Sequence, residues 1–187
     1  MLALKGVLEV IENPEDEAET ARLHEAMLKS FGEALEGMIA GREAEGQRLK
    51  SLLEAQVDEI DRLACLVEAA PGRRPEAIKA RIKDLVTKLI DSANTFDPAR
   101  LHLEAVLIAT RSDVEEELKR LHAHIAAARD LLAEDQAIGR KLDFLAQEFN
   151  REANTLTSKA GDAEISRYGL ALKVVIDQLR EQVQNIE

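Results

Sequence analysis

Two apolar seams constrain the fold of this chain more than any other feature. Val114, Leu118, Leu121, Ile125, Ala128 and Leu132 recur at intervals of 4, 3, 4, 3 and 4 residues, and Leu172, Ile176, Leu179, Val183 and Ile186 at 4, 3, 4 and 3. Such spacing lays one apolar stripe along a helix and requires a second helix to cover it. No stretch alternates apolar and polar residues for long enough to make a strand. The predicted fold class is therefore all-α: a bundle of long antiparallel helices with coiled-coil-like seams and short connections.

Punctuation divides the 187 residues into three regions. Residues 1–14 read as an irregular N-terminal segment ending at Asn13-Pro14. Residues 15–95 read as a helical region: a long helix or broken pair to about Ala69, a stop at Ala70-Pro71-Gly72, and a second helix from Pro75 to about Ile90. Leu49, Leu52, Leu53, Val57 and Ile60 mark the apolar face of the first helix. Gly32, Gly37, Gly41 and Gly46 interrupt it. Each costs about 1 kcal/mol relative to Ala in a helix interior, so a break or close packing is expected there. Residues 96–187 form the C-terminal helical region. Asp97-Pro98 predicts a helix start, with the helix running to about Ala133. Ile138, Leu142, Leu145, Phe149 and Leu156 mark another helix that ends near Lys159-Ala160-Gly161, and a last one begins near Asp162. Seams of this length suit an intramolecular bundle and a symmetric oligomer equally.

Composition removes several function classes. With 25 Lys and Arg against 36 Asp and Glu, the net charge is −11, which argues against a general basic footprint for nucleic acid. The balance reverses locally between Arg73 and Lys88, where six positive residues face two negative ones. That segment is either a solvated helix or an RNA-steering patch. One Tyr, four Phe and no Trp provide no base-stacking platform. The single cysteine excludes a disulfide framework and any multi-thiolate metal site. In its helical pattern, Cys65 reads as a small core residue in a reducing compartment. No run approaches the roughly 18 apolar residues of a membrane span, and the N-terminus is a poor signal peptide. The predicted compartment is the cytoplasm, without membrane association. Phosphate-loop, dinucleotide-loop and H-E-x-x-H patterns do not occur.

Four segments resemble a known family. Arg42-Glu43-Ala44-Glu45-Gly46 with Leu49 fits R-E-x-E-G-x-x-L, and the stretch from Arg111 to His124 fits R-x-D-x-x-E-E-L-x-R-L-x-x-H. The stretch from Leu142 to Lys159 reads LDF-x-x-QE-x-NRE-x-NT-x-x-SK, and the chain ends Leu179-Arg-Glu-Gln-Val-Gln-Asn-Ile-Glu187. Together they are similar to the YicC/YloC family of bacterial endoribonucleases, over roughly residues 30–187. The resemblance implies an RNA-cleaving enzyme that uses Mn²⁺ or Mg²⁺. It also implies a homo-oligomer, a ring-like hexamer, in the cytoplasm, with RNA as substrate and RNA-decay proteins as further partners. Members of this family carry an additional N-terminal region with β structure, so the chain reads as their C-terminal part.

The physical reading of these segments supplies candidates. Asp113, Glu117, Arg120 and His124 are spaced 4, 3 and 4 apart, so they share one helix face about 100° from the apolar seam. Two carboxylates and an imidazole so placed can hold a divalent cation, and Arg120 can contact phosphate. The same pattern also fits an ordinary salt-bridged helix face. Glu148 and Glu152 are four apart, as are Asn150 and Asn154. They fit a metal and RNA surface or a buried network that fixes helix register. His122 is read as solvent-facing. The metal-ligand candidates are Asp113, Glu117, His124, Glu148 and Glu152, of which His124, Glu148 and Glu152 are also the catalytic candidates. Arg111, Arg120, Asn150, Arg151, Asn154 and Lys159 are the RNA-contact candidates. The alternative is a non-catalytic helical module that binds RNA or adapts a nuclease.

Overall fold

The computed structural model describes residues 16–92, 103, 108, 113–134 and 136–186. Its helices are α1 (Glu17–Ala69), α2 (Pro75–Ser92), α3 (Glu115–Ala133), α4 (Gly139–Lys159) and α5 (Ala163–Val183). No strand occurs among the described residues, and the all-α class is observed. The N-terminal segment, Asp97-Pro98, His102 and Arg111 lie outside the described residues.

Two compact units meet at Gly46 and Gln47, within α1. In the first unit, Leu23, Met27, Leu28, Phe31, Leu35, Met38 and Ile39 are exposed along the helix. The expected break or close packing at the four glycines does not occur. The helix continues through Gly32, Gly37, Gly41 and Gly46, and a Cβ added at any of them would meet nothing within 4 Å. Flanking Ala, Glu, Leu and Lys residues with strong helix propensity carry the chain through these weak points.

The second unit holds the core. Every residue of the α3 seam, from Val114 to Leu132, is buried, as are Leu172, Ile176, Leu179 and Val183 of α5. Leu142, Leu145, Phe149 and Leu156 of α4 join them, with Leu53, Val57, Ile60, Leu63, Ala64 and Val67 of α1. Leu49 is only half-buried, and Leu52 is exposed. Cys65, expected in the core, is exposed.

Local chemistry sets the helix ends. Pro71 lacks an N–H and holds Ala70 in extended backbone, so α1 stops and a 3₁₀ turn follows over Pro71–Arg73. Pro75 then opens α2. The single helix expected from Pro98 to Ala133 is corrected: Asp113 and Val114 are non-helical, and α3 starts at Glu115. Asp113 Oδ1 accepts the Glu115 N–H at 2.9 Å, a side-chain bond that competes with helix continuation. Asp162 caps α5 by accepting from the Glu164 and Ile165 N–H groups.

At Gly169 the packing leaves no room for a side chain. A Cβ there would lie 2.5 Å from Thr157 Oγ1 and 3.3 Å from Leu156 Cδ2, across the α4–α5 contact. Gly169→Val is expected to destabilise the protein by about 1–3 kcal/mol. Gly37→Ala, in open space, is expected to stabilise it by up to about 1 kcal/mol through helix propensity. Urea unfolding of the two variants checks the opposite signs.

Candidate functional site

The polar groups that flank the α3 seam meet those of α4 in an antiparallel ladder. Glu117 Oε1 accepts from Lys159 Nζ at 2.7 Å, Arg120 Nη1 donates to Glu152 Oε1 at 3.3 Å, and the His124 ring meets the Phe149 ring edge-on with centroids 6.0 Å apart. Each step up α3 is a step down α4, as the two seams require.

Two of these carboxylates are buried: the side chain of Glu117 is 6 % exposed and that of Glu152 is 3 % exposed. Burial of a carboxylate without a partner is costly, and each has one cation facing it. Lys159 satisfies only one oxygen of Glu117, and Oε2 is buried without a hydrogen-bond partner. Arg120 is shared between buried Glu152 and exposed Glu116. The hydrogen bond it donates to Glu152, with the charges of Glu116 and Glu152, holds the Arg120 guanidinium above its ordinary value, so it remains charged throughout the physiological range.

One turn further along, His124, Glu148 and Glu152 each direct a potential ligand atom to a common point, with the three atoms within 4.8 Å of one another. His124 Nε2 is buried and has no hydrogen-bond partner. One imidazole nitrogen and two carboxylate oxygens fit the donor set of a divalent cation. Phe149 packs against the imidazole and limits its rotation. The guanidinium of Arg151 lies 3.9 Å from Glu148.

Other candidates lie elsewhere. Asp113 precedes α3, so it does not share the helix face of Glu117, Arg120 and His124 as spacing suggested. It borders a cavity of about 550 Å³ with Arg73, Lys79 and Arg81. Glu117 is bound to Lys159 and is not among the three converging groups. Asn154 donates to Asn150 at 2.6 Å, and Asn150 donates to Asp177 of α5 at 3.1 Å, so these amides tie α4 to α5. In the basic segment, Arg73 pairs with Glu115, Arg81 donates to the Gly72 carbonyl, and Lys88 pairs with Asp84. The reading from sequence did not place Asp177 or Phe149 at the site. Phe149 is an ordinary seam position, and Asp177 carries no signal until α4 and α5 are docked.

The description "Endoribonuclease YicC-like, C-terminal" matches residues 67–187, which span α3, α4, α5 and the whole ladder. The chain belongs to this YicC-like family. It is 36 % identical over 187 residues to the probable endoribonuclease YicC of Haemophilus influenzae, covering all of this chain and 62 % of that protein. It is 30 % identical over 186 residues to the probable endoribonuclease YicC of Clostridioides difficile, covering 96 % of this chain and 61 % of that one. The chain thus spans about six-tenths of the length of these curated YicC relatives. No helix among the described residues is long and apolar enough to cross a membrane.

The buried pairs make a stability prediction. Lys159→Met leaves the Glu117 carboxylate buried and unpaired, and is expected to cost about 3–5 kcal/mol. The double variant Glu117→Leu with Lys159→Met removes both charges and is expected to recover most of that loss. Equilibrium urea unfolding of the single and double variants measures it.

Proposed function

We propose that the chain carries the metal-binding and RNA-cleaving part of an endoribonuclease, with His124, Glu148 and Glu152 holding Mn²⁺ or Mg²⁺. The observation that carries this reading is the convergence of one potential ligand atom from each of those three side chains, at a histidine whose Nε2 is buried without a hydrogen-bond partner. The family supports the reaction class. A cation held there would lower the pKa of an attacking water and offset charge on the phosphate.

The protein's own groups divide the remaining work. Arg120 binds a non-bridging phosphate oxygen while Glu116 holds its other end. Arg151, exposed beside Glu148, binds a neighbouring phosphate of the RNA strand. Phe149, edge-on to the imidazole, steadies the ring beside the two carboxylates. Glu117 and Lys159 set the helix register that brings His124 opposite Glu148. With few aromatics, recognition rests on backbone and shape rather than base stacking.

The reaction takes place in the cytoplasm in a homo-oligomer, a hexamer by resemblance. The row of exposed apolar side chains from Leu23 to Ile39 supports assembly, since a contiguous apolar face of that extent favours a partner. A second reading, a non-catalytic RNA-binding or adaptor module, is favoured by the Asn154–Asn150–Asp177 chain and the Glu117–Lys159 pair, which tie the helices together.

The test has two independent readouts. Mn²⁺ binding, followed by loss of the free-ion EPR signal, is expected to fall about 10-fold or more in Glu152→Gln and His124→Ala. Cleavage of labelled RNA by the full chain is expected only with the metal, and Glu152→Gln should keep RNA binding while losing cleavage. A Glu152→Gln protein that binds Mn²⁺ and cleaves RNA like the parent refutes the assignment. RNA binding without cleavage in the parent, with or without Mn²⁺, favours the adaptor. The product ends separate two mechanisms: attack by water leaves 5′-phosphates, and attack by the RNA 2′-hydroxyl leaves 2′,3′-cyclic phosphates.

A further inference from the structure

Away from the His124 cluster, a second set of ligating atoms meets between α1 and α3. Cys65 and Glu68 lie three apart on α1, and His122 reaches them from α3; their potential ligand atoms are within 4.8 Å of one another. We propose that Cys65, Glu68 and His122 form a binding site for a divalent cation of the zinc type, with Asp61 orienting the histidine.

The orientation of the imidazole is the main support. His122 Nδ1 lies 3.4 Å from Asp61 Oδ1, and Nε2 lies 3.7 Å from Glu68 Oε2. A neutral ring with its proton on Nδ1, facing Asp61, leaves the Nε2 lone pair on the side of Glu68, whose carboxylate and the Cys65 thiol lie within the same cluster. This is the carboxylate–histidine–metal arrangement, in which the outer carboxylate fixes the tautomer and strengthens the ligand. Asp61 is itself held in place: its Oδ2 accepts from Arg129 at 2.9 Å, and the same guanidinium nitrogen binds Asp58 at 2.7 Å. A protonated His122 salt-bridged to both carboxylates would use those two groups but give the thiol no role. A cation uses all three ligands.

The donor set selects the metal class. Thiolate, imidazole and carboxylate suit zinc and disfavour the harder Mg²⁺ and Mn²⁺. Zinc bonds of about 2.0–2.3 Å imply ligand atoms roughly 3.3–3.8 Å apart in a tetrahedron. Closing the site therefore requires about 1 Å of movement, which the exposed Cys65 and Glu68 side chains supply by rotamer adjustment. Three protein ligands leave a fourth position for water. The bound ion would clip α1 to α3 within the second unit.

Titration of the reduced full chain with Co²⁺ tests the proposal. Cys65 is the only cysteine in the sequence, so a thiolate-to-cobalt charge-transfer band in the near ultraviolet reports this site alone and is blind to the His124 cluster. Cobalt is expected to produce the band saturably, and zinc to remove it. Cys65→Ser should abolish the band, and Asp61→Asn should weaken binding about 10- to 100-fold, both with unchanged far-ultraviolet circular dichroism. Zinc should raise the Tm of the parent by more than that of Cys65→Ser, in which the His124 cluster alone is left to bind it. Absence of the band at saturating cobalt overturns the site. So does a band of undiminished affinity in His122→Ala, because the thiol would then be acting alone.

Discussion

The pairing of two buried carboxylates across α3 and α4 is the interaction on which the rest of this structure depends. Apolar seams repeated at intervals of 4 and 3 residues hold helices together, but they tolerate slippage, since a shift of one heptad returns apolar residues to apolar residues. Glu117 and Glu152 remove that freedom. In the observed register Glu117 meets Lys159 and Glu152 meets Arg120. Any other register would leave two carboxylates in the interior without cations, at several kcal/mol each. The same register puts His124 against Phe149 and close to Glu148. The polar ladder contributes little net adhesion. Its effect is to select one of several otherwise similar packings.

The fold was legible where a helix carries its own apolar period. Each residue of the α3 seam is buried, and the ends of α2, α4 and α5 follow from Pro75, the Ala160-Gly161 stop and the Asp162 cap. The failures have specific causes. Asp113 was grouped with Glu117 on the assumption of an unbroken helix, but its own short side chain accepts an N–H and marks the start of α3. The four glycines of α1 were given a packing role that only a neighbouring element can assign, and none of the described residues comes within 4 Å of a Cβ there. Cys65 was placed in the core by residue type, although Leu63, Ala64 and Val67 already form the buried stripe at that level and leave Cys65 on the outer face.

The candidate site was legible only in part, for a related reason. Spacing along one helix treats Glu117 and Glu152 as equivalents: both are acidic, both flank a seam, and both are buried. What distinguishes them is the group supplied by the other helix. Glu117 receives Lys159, whereas Glu152 has both Arg120 and an imidazole nitrogen of His124 within reach. No single-helix pattern contains that difference. It appears only when antiparallel packing fixes which residues face one another.

This difference also explains how one polar ladder can combine rigidity with chemistry. The Glu117–Lys159 contact is short, at 2.7 Å, and largely enclosed, so it suits a fixed structural tie. The Glu152–Arg120 contact is longer, at 3.3 Å, and its guanidinium is half-exposed with Glu116 as a second anionic partner. If Arg120 leaves Glu152, it retains Glu116 and keeps a charged anchor at its other edge. A cation arriving between His124, Glu148 and Glu152 would replace the charge that Arg120 gives up, so Glu152 never remains unpaired. The displaced edge of the guanidinium would then be free for a phosphate oxygen, in a geometry suited to bidentate contact. In the proposed reaction, Glu152 would thus exchange Arg120 for the cation and Arg120 would exchange Glu152 for the phosphate, while the Glu117–Lys159 pair holds the register.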